Sequence, residues 1–138
     1  MLGFIFGRKA PFAPPEDWQD LQVPGPSGLR LTVNRALETW DKRFDFGVLL
    51  RIRLARPNGP DPGPFQTRLL ALGAPEGRAL LAAVLAETDG WVFYCYSVSL
   101  HEAQTLQEAL TGEFPGPAVA ISVERDNFWQ VYRELLTS

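Results

Sequence analysis

From Phe44 to Leu54 the chain sets Phe44, Phe46, Val48, Leu50, Ile52 and Leu54 at every second position. A β-strand sends alternate side chains to opposite faces, so this spacing predicts a strand with one buried face. Asp45, Gly47, Leu49, Arg51 and Arg53 stand between the apolar positions and give the strand a wetter reverse side.

The stretch from Ala79 to Glu87 favours helix by propensity, because it is rich in alanine and leucine. It runs, however, into Thr88-Asp89-Gly90 and then into the aromatic and β-branched run Trp91 to Val98. Asp-Gly between two apolar runs is a strong hairpin signal, since a type I′ turn needs positive φ at both central residues. Leu80 to Thr88 is therefore read as a strand. With Asp89 and Gly90 as the loop, Thr88 faces Trp91, Ala86 faces Phe93 and Val84 faces Cys95. On the other side Leu85 meets Tyr94 and Ala83 meets Tyr96. Small residues across from large ones let two layers interdigitate.

The remaining elements follow from local signals. Leu29 to Val33 alternates and predicts a strand, and Ala36 to Trp40 predicts one helical turn. The run Arg56 to Gly63 is a breaker-rich loop, and Pro64 to Leu72 a short helix with proline in its first turn. Ser99 and Glu102 form a capping box for a helix from Leu100 to Leu110. Ala118 to Val123 is a strand, and Asp126 caps a last helix from Asn127 to Leu136. Two sets in that helix, Phe128, Val131, Leu135 and Trp129, Tyr132, Leu136, recur at helical spacing.

Strand, helix, strand, strand, helix, strand is the split βαβ order, so the predicted fold is α+β: a ferredoxin-like βαββαβ sandwich with an N-terminal extension and an added C-terminal helix. Right-handed crossovers place Phe44 to Leu54 and Trp91 to Val98 centrally, with both inner helices on one face. At 138 residues one domain is expected, over 29–138. It follows an arm, 1–28, that carries Pro11, Pro14, Pro15, Pro24 and Pro26, with Trp18 and Leu21 available to pin it down.

The tail Glu124-Arg-Asp126-Asn-Phe-Trp129-Gln-Val-Tyr132 has an Asp, a Trp three residues on and a Tyr three after that. With the aromatic strand Val92-Phe-Tyr-Cys-Tyr96 and Thr32-Val-Asn34, it resembles the bacterial domain-of-unknown-function family numbered six hundred and ninety-five. The likeness spans about Leu29 to Leu136. That family commonly has proline after the Asp, where this chain has Asn127. The family in turn resembles a ferredoxin-like regulator that inhibits a bacterial endoribonuclease by binding it. The resemblance implies a protein-binding regulator, and Asp126, Trp129 and Tyr132 as a structural motif. It supplies no catalytic residues.

Charge and composition narrow the function classes. A net charge of −3 and a pI near 5.1 argue against broad attraction to nucleic acid or acidic membranes. Cys95 is the only cysteine, which forbids an internal disulfide and predicts a reducing, cytoplasmic setting. Its aromatic surroundings predict a buried, inert thiol. Met1 to Phe6 is apolar but too short to span a bilayer, and its charges, Arg8 and Lys9, follow rather than precede it. It reads as a frayed end or an extra edge strand, with membrane-surface contact as the sharper alternative.

No metal or cofactor is expected: one His and one Cys leave Glu76, Asp89, Glu102, Glu124 and Asp126 without ligand spacing. His101 with Ser97 or Ser99 is a poor catalytic pair, because Ser99 is better used as a cap. Gly59 and Gly63, set among prolines, form no phosphate cradle. What remains is the sheet face opposite the two inner helices. Arg51, Arg53, Tyr94 and Tyr96 share its wetter parity and form the candidate interaction surface. An uncovered sheet with aromatics is expected to be covered, by the proline-rich arm and the last helix, by a second copy or by a partner protein. Tyr and Arg are enriched at interface hot spots, so a partner protein or a homodimer is the first functional reading. Single-stranded RNA stacked on the tyrosines is the second, and an unrecognised enzyme the third.

Overall fold

The computed structural model describes residues 13–22, 29–56, 59–74 and 77–137. They form strands β1 (Trp18–Gln22), β2 (Arg30–Asn34), β3 (Val48–Ala55), β4 (Ala79–Glu87), β5 (Gly90–Ser97) and β6 (Val119–Arg125). The α-helices are α1 (Pro62–Gly73), α2 (Leu100–Glu113) and α3 (Gln130–Leu136). Two 3₁₀ helices, Arg35–Thr39 and Asp41–Asp45, lead from β2 to β3. The fold is α+β. All six strands join one antiparallel sheet in the order β1-β2-β4-β5-β3-β6. The expectations for Met1 to Phe6, and for Pro11, Pro24 and Pro26, fall outside the described residues.

One face of the sheet packs on α1 and α2. Val48, Leu50, Ile52 and Leu54 of β3 meet Phe65 and Leu69 of α1 and Ala103, Leu106 and Leu110 of α2. Phe93 and Cys95 of β5 complete this layer, with Phe65 tilted against Phe93 at 5.4 Å and against Phe114 at 4.9 Å. Burying each large side chain stabilises the fold by roughly 1.5–3 kcal/mol. The alternation along β3 is thus real, but it sets two buried layers back to back, since Leu49 on the other parity is also fully buried.

Local chemistry starts α1 and α2 near their expected ends, but the last helix begins at Gln130 rather than Asn127, because Trp129 before it is left-handed. Pro62 stands in the first turn of α1. Ser99 Oγ accepts the Glu102 amide at 3.1 Å and so caps α2. The Glu102 carboxylate does not reach back; it pairs with Arg78 at 3.1 Å, and only half of the capping box forms.

Three expectations are corrected. The central strand begins at Val48, because its neighbours supply ladder partners only from there: Val48 lies opposite both Ser97 and Arg125. Upstream, the Arg43 and Phe46 amides donate to the carbonyls three residues earlier, Trp40 and Arg43. These local bonds build a 3₁₀ helix and leave Phe44 half exposed.

The described part of the arm, expected to hold no regular element, contains a strand. Trp18–Gln22 is free of proline, keeps its donors and pairs with β2 as an edge strand.

The hairpin forms in a shifted register. Glu87 faces Gly90, Ala86 faces Trp91, Val84 faces Phe93 and Ala83 faces Tyr94, with an irregularity between Leu81 and Ala83. The turn residues are Thr88 and Asp89, neither at positive φ, so the turn is not type I′. Gly90 carries the positive φ instead, at 156°, and a Cβ there would collide with the Leu54 carbonyl oxygen. Small residues still oppose large ones, at Ala83–Tyr94 and Ala86–Trp91.

Candidate functional site

The sheet face opposite α1 and α2 is not left bare. Leu37 and Phe46 from the 3₁₀ segments, with Trp129 and Tyr132, close over Leu31, Val33, Leu49, Leu80 and Tyr96 to form a second core. Trp129 stacks on Tyr96 with ring centroids 3.9 Å apart and planes 11° from parallel, and Tyr132 meets Trp129 edge-on at 5.1 Å. Such ring pairs are worth about 0.5–1.5 kcal/mol beyond their buried area.

A hydrogen-bond network, buried at Trp129 and Tyr132 and reaching the surface at Gln130, runs through this layer. Tyr96 Oη donates to Asp126 at 2.7 Å and accepts the Tyr132 amide at 3.3 Å. Asp126 accepts the Gln130 and Val131 amides at 2.8 and 3.0 Å, satisfying the free donors that open α3. Trp129 Nε1 donates to the Phe46 carbonyl at 2.8 Å, and Tyr132 Oη to the Asn34 carbonyl at 2.6 Å. The Asn34 side chain accepts the Asp17 amide at 2.8 Å and donates to the Pro15 carbonyl at 2.9 Å. One network therefore ties α3, the 3₁₀ segment and the strand β1 end to the sheet.

This placement changes the predicted surface. Tyr96 does not reach water: it is fully buried, and burial first, then the Asp126 carboxylate, pushes its hydroxyl pKa far up. Tyr94 is half-buried, and burial raises its pKa more than the nearby Arg51 lowers it. Arg51 lies directly opposite Tyr94 and pairs with Glu124 at 3.1 Å; Arg53 pairs with Glu87 at 2.6 Å. The arginines are thus partly exposed but already answered by carboxylates.

Cys95 is buried, which pushes its thiol pKa up. Ser97 is buried and donates to the Arg78 carbonyl at 2.7 Å, while His101 is exposed on α2. Among the described residues no group of three His, Cys, Asp or Glu side chains could hold a metal ion. No helix among them is long and apolar enough to cross a membrane.

The surface that stands out lies at the edge of the second core. A cleft of about 310 Å³ is lined by Glu38, Arg43, Phe44, Phe128, Tyr132 and Arg133. Phe128 is 75% exposed and Phe44 50%, the highest exposures among the large apolar side chains described. Their backbones are held from below. Trp129 adopts φ 57° and ψ 39°, a left-handed conformation that costs a bulky residue ~1–3 kcal/mol. That conformation turns the indole into the core beside a neighbour, Phe128, that faces water. Asp126 bonds its amide to the Gly47 carbonyl at 2.8 Å, so the two cleft walls are joined.

The cleft charges are unequal. Arg43 Nη1 donates to the Trp40 carbonyl at 2.7 Å, and its guanidinium lies 4.2 Å from the Phe44 ring centroid. Glu38 faces Arg35 at 3.5 Å. Arg133 makes no side-chain hydrogen bond or ion pair among the described residues. A second hollow, about 300 Å³, is lined in part by Trp18 and Leu70, but the Trp18 indole is engaged by Glu16 at 2.9 Å.

Sequence reasoning missed Phe44, Phe128, Arg43 and Arg133 as a surface. Phe44 continued the alternating pattern, and no local signal marked where ladder partners end. Phe128 did carry a signal: in the expected helix from Asn127, adjacent residues do not share a face, so Phe128 and Trp129 would not both be buried against the sheet, although in the structure both precede α3.

Comparison with models of known protein families finds no match, and neither does comparison with curated proteins or with solved structures.

Proposed function

We propose that this chain is a non-catalytic protein-interaction module, ferredoxin-like in its inner βαββαβ unit, that docks a partner protein at the Phe44–Phe128 cleft. The observation that carries the reading is two exposed phenylalanines on walls fixed by Trp129 and Asp126 beneath them. Exposed apolar patches with neighbouring arginines mark interaction sites. A preorganised surface also loses little freedom on binding.

The ferredoxin-like reading is supported by the inner strand order β4-β5-β3-β6, with β3 and β5 adjacent at its centre. The family resemblance is supported by convergence. Asn34, Tyr96, Asp126, Trp129 and Tyr132, drawn from all three segments that carried it, belong to one network. The regulator to which that family is similar acts by binding, in line with a binding role here. A bacterial cytoplasmic setting accords with the resemblance and the single cysteine. Less supports RNA, because Tyr96 is buried and Arg51 and Arg53 already meet carboxylates.

Affinity capture from source-cell lysate, with and without nuclease, tests the reading against a Phe44→Ser/Phe128→Ser variant. A nuclease-resistant protein captured only by the wild type is expected, with melting temperatures equal. Equal capture by both proteins, or capture abolished by nuclease, counts against it. Light scattering on the same two proteins identifies a second copy as the partner if mass falls in the variant.

A further inference from the structure

Resting on that protein-binding reading, we infer that the cleft takes an acidic peptide segment, one apolar side chain seated between Phe44 and Phe128 and a carboxylate facing Arg133. Shape supplies the first half. The hollow of about 310 Å³ has room for a large side chain, and both aromatic walls are exposed to receive it.

Charge supplies the second half. The lining holds two guanidiniums, Arg43 and Arg133, against one carboxylate, Glu38. Glu38 is already faced by Arg35, and Arg43 is held by the Trp40 carbonyl and the Phe44 ring. Of the two lining cations, Arg133 is the one with no side-chain partner among the described residues, on a chain whose net charge is −3. Local positive charge on an acidic protein favours an anionic group at that place and repels it elsewhere, which gives register as well as attraction.

The same observations disfavour the other occupants. A two-fold contact between copies lays a patch on itself, and here it would bring two linings of like net charge, each with two guanidiniums against one carboxylate, together. A nucleic acid strand needs a track of cations along its phosphates, whereas one face of Phe44 is already covered by Arg43 and the chain is acidic overall.

The test is selection of a displayed library of random short peptides on the full chain, followed by anisotropy titration of the labelled consensus peptide. Enrichment of Asp or Glu beside an aromatic or aliphatic residue is expected. Binding should be lost on Phe128→Ser and on Phe44→Ser, the second wall guarding against a folding defect in either variant. Arg133→Glu should weaken it about tenfold, and a Lys-for-acid peptide should recover binding to that variant. Neutral or basic consensus peptides that need Phe128 but ignore Arg133→Glu overturn the acidic segment and leave a protein-binding module standing. A selection with no Phe128-dependent peptide overturns both. A dimer by light scattering that Phe128→Ser dissolves overturns the peptide in favour of a second copy.

Discussion

The Asp126 carboxylate joins β5 to α3 at the edge of the second core: it holds the Tyr96 hydroxyl and the two amides that open α3. Asp126→Ala leaves a buried hydroxyl and two donors without partners, so a loss of ~1–3 kcal/mol is expected in urea unfolding. Trp129 is fully buried, stacked on Tyr96 and bonded to Phe46. Trp129→Ala should cost ~3–5 kcal/mol, and a wild-type melting temperature in that variant would contradict its burial. Arg51 and Arg53 sit at the other extreme. Their ion pairs are exposed, and Arg51→Ala or Arg53→Ala should change stability by no more than ~1 kcal/mol.

At the scale of elements, the β4–β5 hairpin rests on Gly90 for a reason of packing rather than turn type. A Cβ at that position runs into the β3 backbone at Leu54, and φ is 156°. Gly90→Val should therefore destabilise by more than ~1 kcal/mol, and even Gly90→Ala should act in the same direction. Unfolding midpoints of the two variants check this, and a neutral alanine would show that β3 yields locally. The helix α3, only seven residues long, is too short to be stable alone. Its order comes from docking, which is why the burial of Trp129 and Tyr132 matters more than its propensity.

For the whole molecule, the sheet carries a core on each face, and the second is rich in tyrosine hydroxyls. Burial, then Glu38, pushes Tyr132 up to about 12 from its usual 10.0. Tyr96 moves the same way. Raised folded-state values mean that the unfolded chain loses these protons first. Stability is then complete below about pH 10 and falls as pH rises towards 12. Urea midpoints measured across that window should decline, and more shallowly in Tyr132→Phe. A flat wild-type profile would show that the hydroxyls are wetter than the packing indicates.

The amino-acid sequence by itself determined the α+β class, most strand and helix positions, the Ser99 cap and the inward parity of Phe93 and Cys95. These depend on periodicity and on contacts within a few residues, which a linear reading contains. Tertiary structure decided the rest. Whether Phe44 extends a strand depended on β5 and β6 supplying partners only from Val48. Whether Tyr96 meets water depended on Asp126, Trp129 and Tyr132 closing over it, from 30 to 36 residues downstream. The hairpin register answered to β3 backbone against Gly90, not to the Asp-Gly dipeptide alone. The walls of the Phe44–Phe128 cleft are brought together by long-range bonds, Trp129 to Phe46 across 83 residues and Asp126 to Gly47. Contacts of that separation are set by the packed whole, since chain entropy forbids them until the sheet that pays for their closure is in place.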